Sequence, residues 1–422
     1  MDTTRPLTRP TPTTTTTIPQ TSSGRNPQPP GEHPPGRRTA YLDNLRIALI
    51  MLVIAHHAAQ AYGPADWWYV EDQRGSGALA AFSTLNGTFF MSLFFFVSAC
   101  FVPASVDRRG VAAFVRGRLR RLGVPFLAGT ITIIPVLLYV YYLVYRDQPA
   151  LSFPQYYADV FLGLGERPAD WTGPIWPDLQ FGHLWFIQNL LVYCLLYVLA
   201  RKLGDGVRRL RRTEGHRVLP VPGHRALVCF TLAVAAATFA LRVAYPLDEW
   251  VPLAEFIQTE PARLAQYAAF FAAGILAHRH GWLAAIPART GYVWLAGGVA
   301  GSLLLFAAGG TGAFWYGTGG LTVQAALWAV YETFLCTALC LGLLTLFRER
   351  LNHEGPVLGS LAGSAFTVYI VHLPIVVAFQ FALSPLDPAP LTAWVLVTAA
   401  AIALSFPLAG RLRRLPGFRA VL

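Results

Sequence analysis

The sequence predicts an all-α protein that crosses a membrane with about ten helices. Three observations lead to this fold class. The 422-residue chain is 54% hydrophobic and only 13% charged, whereas a soluble globular domain carries about 25% charged residues. Its apolar stretches reach the roughly 20 residues that a membrane-spanning helix requires. The loops between these stretches alternate between basic and acidic or uncharged composition.

Each predicted span is an apolar stretch with few charges. Their approximate bounds are 43–62, 86–104, 124–145, 183–200, 226–245, 263–279, 291–309, 322–347, 361–382 and 391–410. Together with the loops they form one transmembrane domain, 41–415. The preceding segment, 1–40, is rich in Thr, Pro and Ser and cannot bury apolar surface, which predicts a disordered tail.

Charged residues in the loops predict how the spans are oriented. Basic loops follow the second and fourth spans, at 107–121 and 201–212, whereas the loop at 146–182 is mostly acidic. By the positive-inside rule the basic loops and both chain termini lie in the cytoplasm. Because the basic residues that produce the net charge of +11 fall in such short loops, the charge indicates orientation in a bilayer and not binding of nucleic acid.

The first predicted span carries an arginine and a histidine, and both are costly to bury in a bilayer. Arg46 and His57 are eleven positions apart, or about three helical turns, so both project from one face roughly 16 Å apart along the axis. Histidine is the usual general acid or base near neutral pH, so this pair indicates a catalytic site. The alternatives are that Arg46 only snorkels to the interface and that His57 is a satisfied core histidine.

A basic cluster opens the third span. In it Arg118 and Arg121 are three residues apart and are predicted to share a helix face. One interpretation is a cluster that only sets topology. The other is a binding site for a phosphorylated cytoplasmic cofactor, because the planar guanidinium group suits phosphate geometry.

Three later spans carry further polar residues. Glu332 lies about 15 Å into its helix, where a lone carboxylate is costly, so it either serves the site or bonds one helix to another. His372 is central in its span, and His183, Trp185 and Gln188 lie near the outer end of the fourth span. These four are interpreted as structural or as substrate-positioning. No cluster of His or Cys has metal-ligand spacing, so no metal site is predicted.

Taken together, these residues resemble the membrane-bound acyltransferase 3 family over roughly residues 41–410. Each segment alone is a weak signal, but their order and spacing agree with the predicted topology. The segments are Leu42-Asp43-Asn44-Leu45-Arg46 with His57, Phe94-Phe95-Phe96-Val97-Ser98-Ala99, Arg118-Leu119-Arg120-Arg121 and Tyr369-Ile370-Val371-His372.

The resemblance implies an enzyme of the cell (inner) membrane that moves an acetyl or succinyl group from cytoplasmic acyl-coenzyme A to a sugar hydroxyl on the other side. It implies that His57 is catalytic and that Arg46, Arg118 and Arg121 hold the coenzyme. The stretch Gly182–Asn189 resembles the branch that succinylates periplasmic glucans, whereas Ser98-Ala99 departs from the Ser-Gly that is frequent in the family. The implied partners are acyl-coenzyme A, a glycan or other hydroxylated acceptor, and the lipid bilayer; the oligomeric state stays open.

The resulting hypothesis makes His57 the general base on the acceptor hydroxyl. Glu332 is assigned a catalytic role beside it, orienting the imidazole or compensating its charge. His183, Trp185, Gln188 and His372 are assigned to positioning the substrate. The same buried ionisable residues would also suit a proton-coupled transporter or a flippase of an envelope precursor, which is the alternative function.

Overall fold

The computed structural model describes residues 40–63, 67–70, 72, 74–173, 175–211, 218–253 and 257–421. The predicted tail, 1–40, lies outside them except for Ala40. The described α-helices are α1 Ala40–Gln60, α2 Gly77–Ala99, α3 Val102–Arg109, α4 Val111–Arg118, α5 Val124–Tyr145, α6 Phe153–Gln155, α7 Trp185–Arg211, α8 His224–Ala244, α9 Pro261–Arg279, α10 Trp282–Ala285, α11 Ala288–Ala307, α12 Val323–Arg350, α13 Pro356–Leu383 and α14 Pro390–Leu412.

Nine helical segments in the described part of the chain are long and apolar enough to cross a membrane. The polytopic all-α class predicted from composition is thereby confirmed. The segments are Ala40–Gln60, Gly77–Arg109, Val111–Tyr145, Gly182–Gly204, His224–Ala244, Ala288–Ala307, Val323–Arg350, Pro356–Leu386 and Pro390–Leu412.

The sixth predicted span, 263–279, forms the helix α9 but does not belong to these nine. Arg263, Gln266 and His278 make this helix more polar than its neighbours. It nevertheless packs inside the bundle against α2 and α8. A polar helix held among apolar ones is typical of a helix that carries side chains into an interior site.

A short antiparallel hairpin precedes α9 and departs from a purely helical prediction. Its strands are β1 Val251–Leu253 and β2 Ile257–Thr259, with Val251 opposite Thr259. Gln258 on β2 accepts from the Phe181 amide at 2.9 Å and donates to the Leu179 carbonyl at 2.9 Å. The hairpin therefore anchors the long loop that leads into α7.

The helix α1 lies among α2, α12, α13 and α14. Near its first turn, the Asn44 amide donates to the Leu351 carbonyl at 2.7 Å and to the His353 carbonyl at 3.0 Å. Near its last turn, Trp394 Nε1 donates to the Ala55 carbonyl at 2.8 Å. Both ends of α1 are thus bonded to other elements. The end near Gln60 is called the histidine end below, and the end near Ala40 the arginine end.

The peripheral helices α8, α11 and α14 expose large apolar side chains on their outer faces. Leu303 on α11 is 66% exposed, and Val395 on α14 is 53% exposed. An apolar surface of this extent is expected where the partner is hydrocarbon and not water. These three helices therefore form part of the bilayer-facing surface.

The contact between α2 and α9 depends on Gly274. A Cβ at this position would overlap the backbone carbonyl oxygen of Phe96 and would lie 2.9 Å from the Ala99 Cβ. Because backbone cannot rotate away, Gly274→Ala is expected to push the two helices apart and to lower the free energy of unfolding by about 1–3 kcal/mol. Thermal unfolding of the purified protein in detergent measures this effect.

Gly359 on α13 is the matched control, since a Cβ there would meet nothing within 4 Å. Gly359→Ala should leave the unfolding temperature unchanged or raise it slightly, because alanine favours a helix by up to about 1 kcal/mol over glycine. Equal unfolding temperatures for the two variants would contradict the close packing at Gly274.

Candidate active site

A cavity of about 440 Å³ lies at the histidine end of the bundle. Residues of α1, α2, α7, α9, α12 and α13 line it together with loop residues. Trp67 and Trp250, 49% and 43% exposed, belong to this lining, so they mark its rim. The polar and aromatic residues of the lining are His56, His57, Gln60, Trp67, Trp68, Ser83, Thr84, Phe90, His183, Trp185, Asp248, Trp250, Glu260, Arg263, Tyr267, Thr311, Tyr316, Trp328 and Tyr369.

Three of the predicted site histidines meet at this cavity. His57 Nδ1 lies 2.9 Å from His372 Nε2. The rings of His183 and His372 are 5.2 Å apart between centroids. His57 and His183 line the cavity, and the fully buried His372 lies behind them. The structure thus joins α1, α13 and the 3₁₀ turn Gly182–Leu184, which leads into α7, through imidazole rings.

A tryptophan packs against the His57 ring. The Trp68 ring stacks on it with 5.9 Å between centroids and 13° between planes. Trp68 Nε1 donates to Gln380 Oε1 at 2.9 Å, and Gln380 Nε2 donates to the Ala58 carbonyl at 3.1 Å. These bonds hold the tryptophan, and with it the His57 ring, in one orientation.

His56 is a site residue that the sequence interpretation passed over. It lines the cavity beside His57, with 5.6 Å between the ring centroids, and its Nε2 lies 3.0 Å from the Gln60 amide nitrogen. Among the described residues no partner bonds its Nδ1. Neighbouring histidines on one helix do not share a face, so the sequence offered no sign that both would reach one cavity.

Glu332 does not contact His57 in the described structure. Its carboxylate forms ion pairs with Arg242 of α8 and Arg263 of α9. The side chains of Glu332 and Arg242 are 1% and 0% exposed. Arg263 also donates to the Gly87 carbonyl at 3.0 Å and lines the cavity. Glu332 therefore acts on the cavity wall through Arg263.

Neither arginine of this network was predicted, although the sequence held a signal. Arg242 and Arg263 flank a loop that is otherwise acidic. Arginines beside such a loop run against the positive-inside pattern, so a partner inside the bundle is a better explanation for them than topology. The buried carboxylate of Glu332 is that partner.

Glu260 adds a second carboxylate to Arg263 at the cavity wall. Its Oε1 lies 3.1 Å from Arg263 Nε and 3.1 Å from the Asp248 amide nitrogen, which donates to it. Burial raises the pKa of Glu260, and the neighbouring Arg263 charge opposes that rise. Arg263 is thus held between two carboxylates, which keeps its guanidinium group in place.

Aromatic rings form another wall of the cavity. Trp185 stacks on Tyr267 at 5.6 Å between centroids, and Trp250 meets Trp185 edge-on at 5.5 Å. The structure therefore brings the predicted Trp185 to the cavity. Gln188, one turn further along α7, is buried but does not belong to the lining, and both of its amide atoms lack a described partner.

The three predicted coenzyme-binding arginines lie towards the other end of the bundle. Arg46 pairs with Asp43 at 3.0 Å and lies 4.4 Å above the Phe101 ring. Arg118 packs over Phe114 and is near enough to Arg46 for their charges to interact.

Between Arg118 and Arg121 the chain departs from the predicted α-helix. A π-helical turn, Leu119–Gly123, follows α4. Residues three apart are not aligned in this wider turn as they are in an α-helix. Accordingly Arg118 is half-buried whereas Arg121 is exposed.

The cavity lining includes none of these arginines, so the arginine group and the histidine group form two separate regions along α1. The helix is continuous from Ala40 to Gln60, so Arg46 and His57 are roughly 16 Å apart along its axis. Within the described ranges no group of three or more His, Cys, Asp or Glu side chains is arranged to hold a metal ion.

Comparisons with known proteins identify relatives of this chain. The chain is 24% identical over 370 residues to the glucans biosynthesis protein C of Salmonella heidelberg strain SL476. The proteins of the same name from Salmonella typhi and Salmonella typhimurium strain LT2 match it at 24% as well. Each match covers 83% of this chain and 85% of the relative. No solved structure matches the chain significantly.

The acyltransferase domain family, acyltransferase 3, matches residues 39–410, which is most of the chain and all of its membrane helices up to the last turn of α14. This match decides between the two functions that the buried ionisable residues left open, since it favours group transfer over transport. The chain belongs to the acyltransferase 3 family and is a membrane-bound O-acyltransferase.

Proposed function

We propose that this protein transfers an acyl group, acetyl or succinyl, from cytoplasmic acyl-coenzyme A to a carbohydrate hydroxyl on the other side of the membrane. In this proposal the enzyme lies in the inner membrane with both termini in the cytoplasm, and His57 is the general base. The observation that carries the proposal is the position of His57, which lines the cavity at the histidine end while Arg46 lies three turns away on the same helix.

The proposed reaction needs one proton transfer to His57 and one from it. His57 takes the proton of the acceptor hydroxyl while the oxygen attacks the thioester carbonyl carbon. The resulting tetrahedral intermediate collapses, the carbon–sulfur bond breaks, and the thiolate of coenzyme A leaves. The proton on His57 then passes to the sulfur, which regenerates the base. General-base catalysis of this kind contributes about 10² to 10⁴ in rate.

The lining of the cavity supports a carbohydrate acceptor. Sugar rings present faces of C–H groups that pack on aromatic rings, and edges of hydroxyl groups that bond polar side chains. Trp67 and Trp250 at the rim supply exposed aromatic surface, and Asp248, Glu260 and Arg263 supply donors and acceptors. The relatives are named for the biosynthesis of glucans, which is the same chemical class.

The arginine region supports a phosphorylated donor. Arg118 is near enough to Arg46 for their charges to interact, and the exposed Arg121 follows Arg118 by three residues. Like charges are held in proximity at a cost that a bound phosphate removes. In the proposal they bind the phosphates of the coenzyme, and the pantetheine arm spans the roughly 16 Å to His57.

A polar face of α7 supports a path for that arm between the two regions. Asn189 Nδ2 and the Tyr193 hydroxyl are buried and lack a described partner. They follow the turn that carries His183, and Cys194, the residue after Tyr193, is close enough to Arg118 to interact with its charge. Buried polar groups are normally bonded, so open ones here fit the amides of a pantetheine chain.

Glu332 enters this proposal as a positioning residue. It holds Arg263 at the cavity wall through an ion pair and is not part of the cavity lining. Its charge also compensates Arg242, which has no other carboxylate partner among the described residues.

Replacing Arg118 by alanine should mainly weaken binding of the coenzyme. A charged hydrogen bond to phosphate is worth about 1.5–3 kcal/mol, and half-exposure reduces that figure, so we expect a rise of about tenfold in the dissociation constant. Equilibrium binding of radiolabelled acetyl-coenzyme A in detergent measures it.

Arg414→Ala is the matched control, because Arg414 is an exposed arginine after the last helix and outside the proposed site. It should leave the dissociation constant unchanged. If the two variants bind acetyl-coenzyme A equally well, Arg118 is not part of a phosphate site.

The proposal as a whole is tested with purified protein in detergent or vesicles. The protein is incubated with acetyl- or succinyl-coenzyme A and a soluble glucan, and the glucan is examined by mass spectrometry. A mass increase of one acyl group per ester, together with release of free thiol, is the expected result. No acylated glucan and no thiol release with either donor would refute it.

A further inference from the structure

The backbone of α13 contacts two of the site histidines through carbonyl oxygens. His372 Nδ1 lies 2.8 Å from the Tyr369 carbonyl oxygen. His183 Nε2 lies 3.0 Å from the Ile370 carbonyl oxygen. A carbonyl oxygen only accepts hydrogen bonds, so the ring nitrogen that faces it must carry the hydrogen. These two contacts therefore specify which nitrogen is protonated in each ring.

The Ile370 carbonyl is available because of a proline. In a regular α-helix it would accept from the amide of the residue four positions later. That residue is Pro374, which lies inside α13 and has no amide hydrogen. His183 takes the place of the missing donor. Pro374 thus leaves the Ile370 carbonyl free to accept a hydrogen bond from His183.

The protonation state of His372 determines which nitrogen of His57 carries the hydrogen. A neutral imidazole has one N–H, so His372, protonated at Nδ1, presents a lone pair at Nε2. His57 Nδ1, 2.9 Å from that lone pair, must then be the donor. The remaining nitrogen of His57, Nε2, has no hydrogen.

We infer that the carbonyl groups of α13 set the tautomers of all three histidines, so that His57 Nε2 and His183 Nδ1 present lone pairs to the substrate. No hydrogen bond in the described structure occupies His57 Nε2, and His183 Nδ1 is buried without a described partner. Both residues line the cavity. The tautomers follow from the hydrogen bonds alone.

The roles of the two lone pairs rest on the proposed function. His57 Nε2 is the base that removes the hydroxyl proton. His183 Nδ1 accepts a hydrogen bond from a second hydroxyl of the acceptor and so orients it. His372 touches neither and is a positioning residue, which holds His57 in the tautomer that leaves Nε2 free.

Nitrogen-15 NMR of protein labelled in histidine tests the tautomers without any substrate. Protonated and unprotonated ring nitrogens give well-separated signals, and the variants His57→Gln, His372→Gln and His183→Gln assign them by subtraction. We expect Nδ1 protonated in His57 and His372, and Nε2 protonated in His183. A protonated Nε2 in His57, or an unprotonated Nε2 in His183, would overturn the inference even if the protein transfers acyl groups.

The positioning role is tested with two variants of similar volume. His372→Gln places an amide oxygen near the position of Nε2 and can still accept from His57, whereas His372→Leu has no acceptor. Leucine should lower kcat about 10–100-fold without changing KM for the acceptor, and glutamine should restore most of the loss.

Equal kcat values for the leucine and glutamine variants would overturn the role of His372. If neither His372 variant folds, His57→Gln and His183→Gln still assign the signals of those two rings by subtraction, so the tautomers of His57 and His183 are decided by NMR. If no acyl transfer is found with any donor, the proposed function fails, whereas the tautomers are still decided by the NMR measurement.

Discussion

Replacing His57 by alanine is expected to lower the rate of acyl transfer by about 10² to 10⁴-fold, the usual contribution of a general base. Binding of acetyl-coenzyme A should be unchanged, because the arginine region is about 16 Å away along α1. Steady-state transfer to a glucan and equilibrium binding of the labelled donor measure the two effects. His57→Gln should behave like the alanine variant, since an amide is not a base at neutral pH.

His353→Gln is the matched control, because this histidine is exposed in the loop between α12 and α13. It should retain full transfer. Wild-type turnover in His57→Ala would show that another group removes the proton, and the adjacent His56, which lines the same cavity, would be the next residue to replace.

Replacing Glu332 by glutamine is expected to produce the largest loss of stability. The change leaves Arg242, which is 0% exposed, without a carboxylate partner among the described residues. It also removes one of the two carboxylate partners of Arg263. Breaking one side of a buried ion pair costs about 3–5 kcal/mol. Thermal unfolding in detergent measures the loss, and transfer is compared per folded molecule to separate stability from chemistry.

Asp107→Asn is the control for Glu332→Gln, since it removes a carboxylate from the pair with Arg201 at the surface, where Asp107 is 57% exposed. Exposed pairs contribute about 0–1 kcal/mol, so this variant should unfold near the wild-type temperature. Combining Arg242→Met with Glu332→Gln should recover part of the stability, because it removes the buried charge that the single change leaves unpaired. A double variant as unstable as Glu332→Gln alone would contradict the ion-pair explanation.

The fold class could be predicted from the sequence because the bilayer imposes a simple requirement on every segment that crosses it. Every segment that crosses the bilayer needs internal backbone hydrogen bonds, which a helix supplies, and a run of apolar residues. The apolar run can be recognised directly in the sequence. The helix α9 is the informative exception. Arg263 and Gln266 lower its apolar character, yet Gln266 donates to the Thr88 carbonyl at 2.8 Å and Arg263 has carboxylate partners. Polar groups paired inside the bundle are tolerated where polar groups facing lipid are not.

The candidate site could be predicted in part from the sequence. Arg46 and His57 could be related to each other because both belong to one helix, whose geometry is known in advance. That Glu332 needs a partner could be inferred from the cost of a buried carboxylate. Which residues pair with it could not be inferred, because Arg242 and Arg263 lie 90 and 69 residues away in the chain. His56 and Trp68 were missed because their position in the site depends on packing between helices.

By itself, then, the sequence determined the membrane class, the helix that carries Arg46 and His57, and the resemblance to the acyltransferase 3 family. Only the tertiary structure decided that His57 meets His372, 315 residues further along the chain, and that Glu332 meets two arginines. The physical reason is that the apolar faces of membrane helices are chemically alike. Composition shows that a buried polar group needs a partner, but which helix supplies it depends on how side chains fit together across the whole bundle.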